Sequence, residues 1–259
     1  MALTGTQVQD FVRDGLVKVE GAVPVEVALR CQDELWQSTG YDRDDPRTWS
    51  DTLVRLDGSG TPPFREAATA PALHEAFDQL VGPGRWLPRT GLGTFPLRFP
   101  GPGPAREAGW HLEASFAGPA GEWRVNLRSR GRALLRLFLF SDVGVDDAPT
   151  LARVGSHRDV PVLLREHGDE GMEWMALCGL AVPASEGRPV TAVTGRPGDV
   201  YLCHPFLVHS AQAHRGSVPR FMAQPPLEPV GVLDLDAATP APVAQAVLDG
   251  LAQATTPLS

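Results

Sequence analysis

The chain is short of every feature that marks a nucleic-acid or membrane protein. Basic residues are outnumbered, 23 Lys and Arg against 31 Asp and Glu, for a formal charge of −8 and a pI near 5.3. A footprint for phosphate should be basic, so no nucleic-acid partner is expected. No apolar run approaches the roughly 20 residues of a membrane helix, so no membrane association is expected either. The opening residues, MALTGTQVQDF, lack the charged-then-apolar pattern of a secretory signal. Cysteine is scarce: Cys31, Cys178 and Cys203 are an odd number at no metal-site spacing. That usage predicts a reducing, cytoplasmic setting. There is no glycine-rich phosphate loop, no internal repeat and no linker. Nor do the neighbours of Cys203 form a hydrolase signature.

What is present suits one large β-rich domain over residues 1–259, with helical decoration at the N-terminus and a helix at the C-terminus. Hydrophobic residues make up 42 %. The 27 Gly and 25 Pro fall mostly between apolar runs, as in a loop-rich β protein. Thr4 caps a short helix ending near Asp14 and Gly15, with Val8, Phe11 and Val12 as its apolar stripe. LVKV (16–19) reads as a strand. Pro24 opens a second helix reaching about Gly40, its buried side formed by Val27, Cys31, Leu35 and Trp36. Residues 41–65 are polar and poorly periodic, a wrap or part of a lid. A helix follows from Pro71, whose His74 has no expected chemistry. LGTFPLRF (92–99) is a strand in which Pro96 favours an edge. A loop, 100–109, then delivers the chain to Trp110 and His111. RALLRLFLFSDV (132–143) is the strongest apolar run, suited to a central strand. Short helices over 158–178, strands around VTAVTGRPGDVYL and 218–227, and a helix in TPAPVAQAVLDGLAQ complete the reading.

Chemistry concentrates in residues 198–221, GDVYLCHPFLVHSAQAHRGSVPRF. His204, His209 and His214 lie within eleven residues there, followed by Arg215 and Arg220. HLE, at 111–113, is the natural complement. On an extended chain His111 and Glu113 point to one face. A distant third histidine then closes a facial triad of two imidazoles and a carboxylate, the donor set of non-haem Fe(II) oxygenases. His204 and His209 are five apart, so a continuous strand would place them on opposite faces. Spacing alone leaves the choice between them open.

The ordered set GWHLE, GSHRD (155–159), GDVYLCHPFLVH and VPRF, spread over about residues 7–227, resembles the phytanoyl-CoA dioxygenase family of Fe(II)/2-oxoglutarate oxygenases. The resemblance implies a mainly β fold with flanking helices around a double-stranded β-helix (jelly-roll, cupin-like) core. It implies His111, Glu113 and His209 as ligands of Fe(II). His209 takes the distal position over His204 because Arg220 follows it by eleven residues, and His214 is left beside the ligands. It implies Arg220 as the anchor for the distal carboxylate of 2-oxoglutarate, with Arg215 as runner-up, since a guanidinium fork matches a carboxylate. Glu113 stands where the family's usual carboxylate is aspartate. A carboxylate is still present, which disfavours the related halogenases. His157, in GSHRD, is expected to hydrogen-bond within its loop.

The implied reaction uses molecular oxygen and 2-oxoglutarate to oxidise, most simply to hydroxylate, a C–H bond of a small organic metabolite, with release of succinate and CO2. Desaturation, epoxidation and ring formation start from the same activated carbon. Specialised metabolism is the broader expectation, because nothing in the chain forms a basic handle for coenzyme A phosphates. Arg98, Phe95, Phe99 and Trp110 are the candidates for the substrate pocket. The competing reading is a non-catalytic jelly roll that binds metal or a small molecule.

Overall fold

The computed structural model describes residues 2–103 and 105–253. Its organising strand is Leu134–Leu139, buried at all six positions. Side chains alternate along a strand, and the alternation divides this one between two apolar bodies. Leu134, Phe138 and the following Phe140 join the larger core beneath the helices. Leu135, Leu137 and Leu139 face a second cluster with Ala152, Val193, Leu207 and Met222. Burial on both faces explains the near-continuous hydrophobic run. Arg136 is the exception, with its guanidinium between the rings of Phe77 and Phe138 at 5.4 and 5.6 Å from their centroids.

Leu134–Leu139 pairs antiparallel with Val200–Cys203 on one side and with Met222–Ala223 and Pro226–Leu227 on the other. Leu16–Val19 adds to the free edge of Val200–Cys203. A second ladder sets Leu151–Arg153 between His209–Ser210 and Val190–Ala192. Two smaller ladders join Leu53–Leu56 to Phe95–Arg98, and Phe116–Ala117 to Trp123–Val125 to Met172–Glu173. Among the described residues, more belong to helices than to strands. The architecture is therefore mixed α and β, where mainly β was expected.

The helices start and stop where their sequences direct. Thr4 and Gln7 form a reciprocal capping box for Gly5–Asp14, and Gly15 closes it in the left-handed region (φ 83°). A Cβ at Gly15 would also lie 2.4 Å from Nδ1 of His157. Val25–Thr39 follows Pro24 and ends at Gly40, again left-handed. Pro71–Val81 and Pro242–Gln253 are the other long apolar-faced helices. No helix among the described residues is long and apolar enough to cross a membrane. The segment 41–65 holds more structure than its composition suggests, a strand at Leu53–Leu56 and the start of a helix at Pro62–Ala68.

Candidate metal centre

His209 sits on the strand His209–Ser210, opposite Ala152. Its other edge is bonded to His111: each backbone N–H donates to the other's carbonyl, at 3.0 and 2.8 Å. Residues directly opposed in an antiparallel pair project to the same face. The two imidazoles accordingly stand side by side, with centroids 4.5 Å apart. HLE forms this single bridge rather than a strand, yet it stays extended. Leu112 is fully buried on the opposite face, and Glu113 returns to the side of the histidines. Ligand atoms of His111, Glu113 and His209 all lie within 4.8 Å of one another.

Protonation follows from the neighbours. Nδ1 of His111 is 2.9 Å from the Gly109 carbonyl, and Nδ1 of His209 is 3.0 Å from that of Leu207. A carbonyl only accepts, so each Nδ1 carries a proton and each Nε2 is the nitrogen left free to meet a metal. Burial and the adjacent His209 push the pKa of His111 below its ordinary value. Burial pushes that of Glu113 up, but the facing His209 and the Arg132 guanidinium outweigh it and hold the carboxyl near 2. His209 Nε2 thus faces an ionised Glu113 Oε1 at 3.4 Å. A proton or a metal between these two atoms would satisfy both. Two imidazoles and one carboxylate are a donor set that fits Fe(II).

Beside the triad lies a cavity of about 530 Å³. Arg98 and Arg220 are bonded to each other through reciprocal backbone N–H to carbonyl bonds of 3.0 and 2.8 Å. Both side chains reach the cavity wall. Arg220 donates from Nη1 to the Ala148 carbonyl at 2.5 Å and from Nη2 to that of Pro96 at 3.1 Å; its Nε has no partner. Arg98 donates from Nη2 to the Arg106 carbonyl at 3.1 Å, and its Nε is also unpartnered. Burial depresses the pKa of both, Arg220 to about 9. Among the described residues neither guanidinium has a carboxylate at ion-pair distance, whereas nearby Arg55 is paired with Glu107. Buried cations without a counter-charge are costly; Arg98 still feels the charge of Glu107, whereas Arg220 feels only the repulsion of Arg98.

The other candidates distribute unequally. Trp110 lines the cavity, its ring covered by the Arg153 guanidinium at 4.4 Å. Phe95 and Phe99 do not line this cavity, and their assignment to its wall is corrected. Phe95 packs on Phe64, and Phe99 joins Trp36, Tyr41, Trp49 and Phe221. Strand alternation is the reason: Thr94, Pro96 and Arg98 face the cavity, so 95 and 99 face the core. His204 lies outside the ligand cluster. It is a saturated core residue that accepts from the Phe206 N–H at 3.1 Å and donates to the Val243 carbonyl at 3.1 Å. His157 lies beside it with the two rings tilted and bonds to Val12 rather than within its own loop. His214 bonds to Val218 outside the ligand cluster, and Arg215 is exposed. Two contributors went unpredicted. Trp174 sets its ring edge-on to His111 at 6.4 Å and donates from Nε1 to the Leu112 carbonyl at 2.5 Å. Arg132 places Nη2 3.2 Å from Glu113 Oε2. Neither carries a local sequence signal, because each reaches the site from a distant segment.

Solved structures with a similar fold include the following three proteins. HygX from Streptomyces hygroscopicus, solved with nickel and 2-oxoglutarate bound, is 19 % identical with a TM-score of 0.57, covering 88 % of each chain. SnoN, a non-heme α-ketoglutarate-dependent epimerase from nogalamycin biosynthesis, is 18 % identical with a TM-score of 0.56, over 85 % of this chain and 79 % of that one. SnoK, a carbocyclase from the same biosynthesis, is 18 % identical with a TM-score of 0.52, over 87 % and 84 %. At such identities the likeness is one of fold. A search of curated proteins found no match. The family model for phytanoyl-CoA dioxygenase (PhyH) matches residues 11–222, a span that contains the triad, Arg98 and Arg220, and the chain belongs to that family.

Proposed function

We propose that the protein is a non-haem Fe(II)- and 2-oxoglutarate-dependent dioxygenase that hydroxylates a C–H bond of a small organic metabolite. The observation that carries the reading is the His111–Glu113–His209 cluster, two imidazoles and one carboxylate with ligand atoms within 4.8 Å of one another, beside the buried Arg220, which among the described residues has no carboxylate at ion-pair distance. In this reading those three side chains would hold the metal. When bound, the iron supplies activation of molecular oxygen coupled to decarboxylation of 2-oxoglutarate, with succinate and CO2 as co-products. Arg220 holds the distal carboxylate of the cosubstrate. Its Ala148 and Pro96 contacts fix the guanidinium plane before anything binds, which lowers the ordering cost. Gly109 and Leu207 hold the histidine tautomers, and Trp174 packs against His111.

Arg98 and Trp110 form part of the substrate wall, and Arg98 takes a polar or anionic group. The surrounding sheets belong to one domain with a jelly-roll core, placed in the cytoplasm. The similar folds of SnoN and SnoK, both from nogalamycin biosynthesis, and of HygX, also solved with hygromycin B bound, favour a specialised metabolite as substrate. The test is succinate release from 2-oxoglutarate by the Fe(II)-loaded protein under air, across a panel of such metabolites. Substrate-stimulated succinate is expected. A protein that binds neither divalent metal nor 2-oxoglutarate would leave only the fold and end the catalytic reading.

A further inference from the structure

We propose that Arg132 is a positioning residue that fixes Glu113 to offer one oxygen to the metal, and so adapts the site to a glutamate. The inference rests on the metal centre argued above and adds a residue to it. Arg132 makes two contacts with the segment that carries the ligand. Nη2 lies 3.2 Å from Glu113 Oε2, and Nε donates to the Ala114 carbonyl at 3.0 Å. One guanidinium thus ties side chain and main chain together. With Oε2 engaged, Oε1 is the oxygen that faces His209 Nε2 at 3.4 Å. Glutamate has one more rotatable bond than aspartate, and a free carboxylate at its end would sample several positions. The arginine removes that freedom.

The mounting of Arg132 is rigid. It ends a tight turn in which the Arg130 N–H donates to Asn126 Oδ1 at 2.9 Å and the Arg132 N–H to the Ser129 carbonyl at 3.2 Å. Ser129 Oγ donates to the Arg132 carbonyl at 2.6 Å. Gly131 has φ 85°, and a Cβ there would stand 2.5 Å from the Ser115 carbonyl oxygen. Only a glycine lets the turn press so closely on the chain leaving Glu113. Directly after the turn comes Leu134–Leu139, the longest fully buried strand of the larger sheet. The side chain of Arg132 is 12 % exposed and that of Glu113 25 %, so the contact is partly shielded from bulk water.

Charge and position make opposite predictions, which renders the proposal testable. An arginine that merely neutralised Glu113 would weaken its attraction for a cation, so Arg132→Met would tighten metal binding and Arg132→Lys would leave it unchanged. An arginine that positions Glu113 gives the reverse: both variants bind metal more weakly, by about 10- to 100-fold as for other outer-shell partners of metal ligands. The measurement is a Co(II) titration of the full chain, read by the ligand-field absorption of the bound ion. Both variants are expected to show a shifted spectrum as well as weaker affinity. In a Glu113→Ala background, Arg132→Met should cause no further change. Thermal melts check folding, and Arg132→Lys carries the test if the methionine variant unfolds. A parent that takes up no Co(II) overturns the metal reading itself. A parent that binds, with variants that bind equally or more tightly and keep its spectrum, overturns the role of Arg132 alone.

Discussion

Arg220→Lys separates charge from geometry at the proposed cosubstrate anchor. The guanidinium is buried and held by two carbonyls, at 2.5 Å from Ala148 and 3.1 Å from Pro96. Its remaining N–H groups, Nε included, are left for a ligand. A lysine keeps the charge but loses the fork that meets both oxygens of a carboxylate. Losing one hydrogen bond between charged groups forfeits about 1.5–3 kcal/mol, or about 10- to 150-fold in affinity. The assay is calorimetric titration of 2-oxoglutarate into Mn(II)-loaded protein, with the metal titrated separately in the absence of cosubstrate. The expected result is weaker cosubstrate binding at unchanged metal affinity. Arg220→Met is the stronger perturbation, because it also strips the Ala148 and Pro96 carbonyls of their donors at about 1–3 kcal/mol of stability each. Its melting curve must accompany its titration. Unchanged 2-oxoglutarate affinity in both variants would refute the anchor, and the uncompensated charge of Arg220 would need another explanation.

Three further outcomes are expected. His111→Ala and His209→Ala should each abolish specific Mn(II) or Co(II) binding in equilibrium titration, while His204→Ala leaves it intact and lowers urea stability by about 1–3 kcal/mol for each of its two stranded partners. Burial holds the pKa of His204 near 3 against an ordinary 6.5; between those values the unfolded chain binds a proton that the folded chain refuses, so this contribution is complete above 6.5 and is lost as the pH falls toward 3. Urea melts of the parent should therefore weaken through that window, and His204→Asn should flatten the dependence; an unaltered slope would contradict it. Arg98→Ala should reduce substrate-stimulated succinate release while Mn(II) and 2-oxoglutarate titrate normally, and a loss of 2-oxoglutarate binding instead would move Arg98 to the cosubstrate.

The parts of this molecule that were legible in its sequence are those decided by neighbours in the chain. Thr4, Gln7 and Gly15 cap a helix through contacts three or four residues away. Leu134–Leu139 announces a strand buried on both faces by composition alone. The pairing of His111 with Glu113 needs only extended backbone, so it survived although that segment is a single bridge and not a strand. By contrast, Leu53–Leu56 has one buried residue in four and is held by its partner Phe95–Arg98. The helix Pro62–Ala68 is anchored by Phe64 against Phe95 and Phe140. Such elements owe their existence to distant surfaces, and a local pattern cannot show them. The misplaced phenylalanines are a different case. Their parity relative to Arg98 was available, and a guanidinium in the cavity already required Phe95 and Phe99 to point the other way. Arg132 marks the true limit. Its register in RALLRLFLF resembles that of Arg136, yet Arg136 enters the core between two rings while Arg132 meets the carboxylate at Glu113. Four residues separate the two on one strand path. What distinguishes them is the turn at 126–131, whose close approach to Ser115 depends on a glycine and on the fold that brings both segments together.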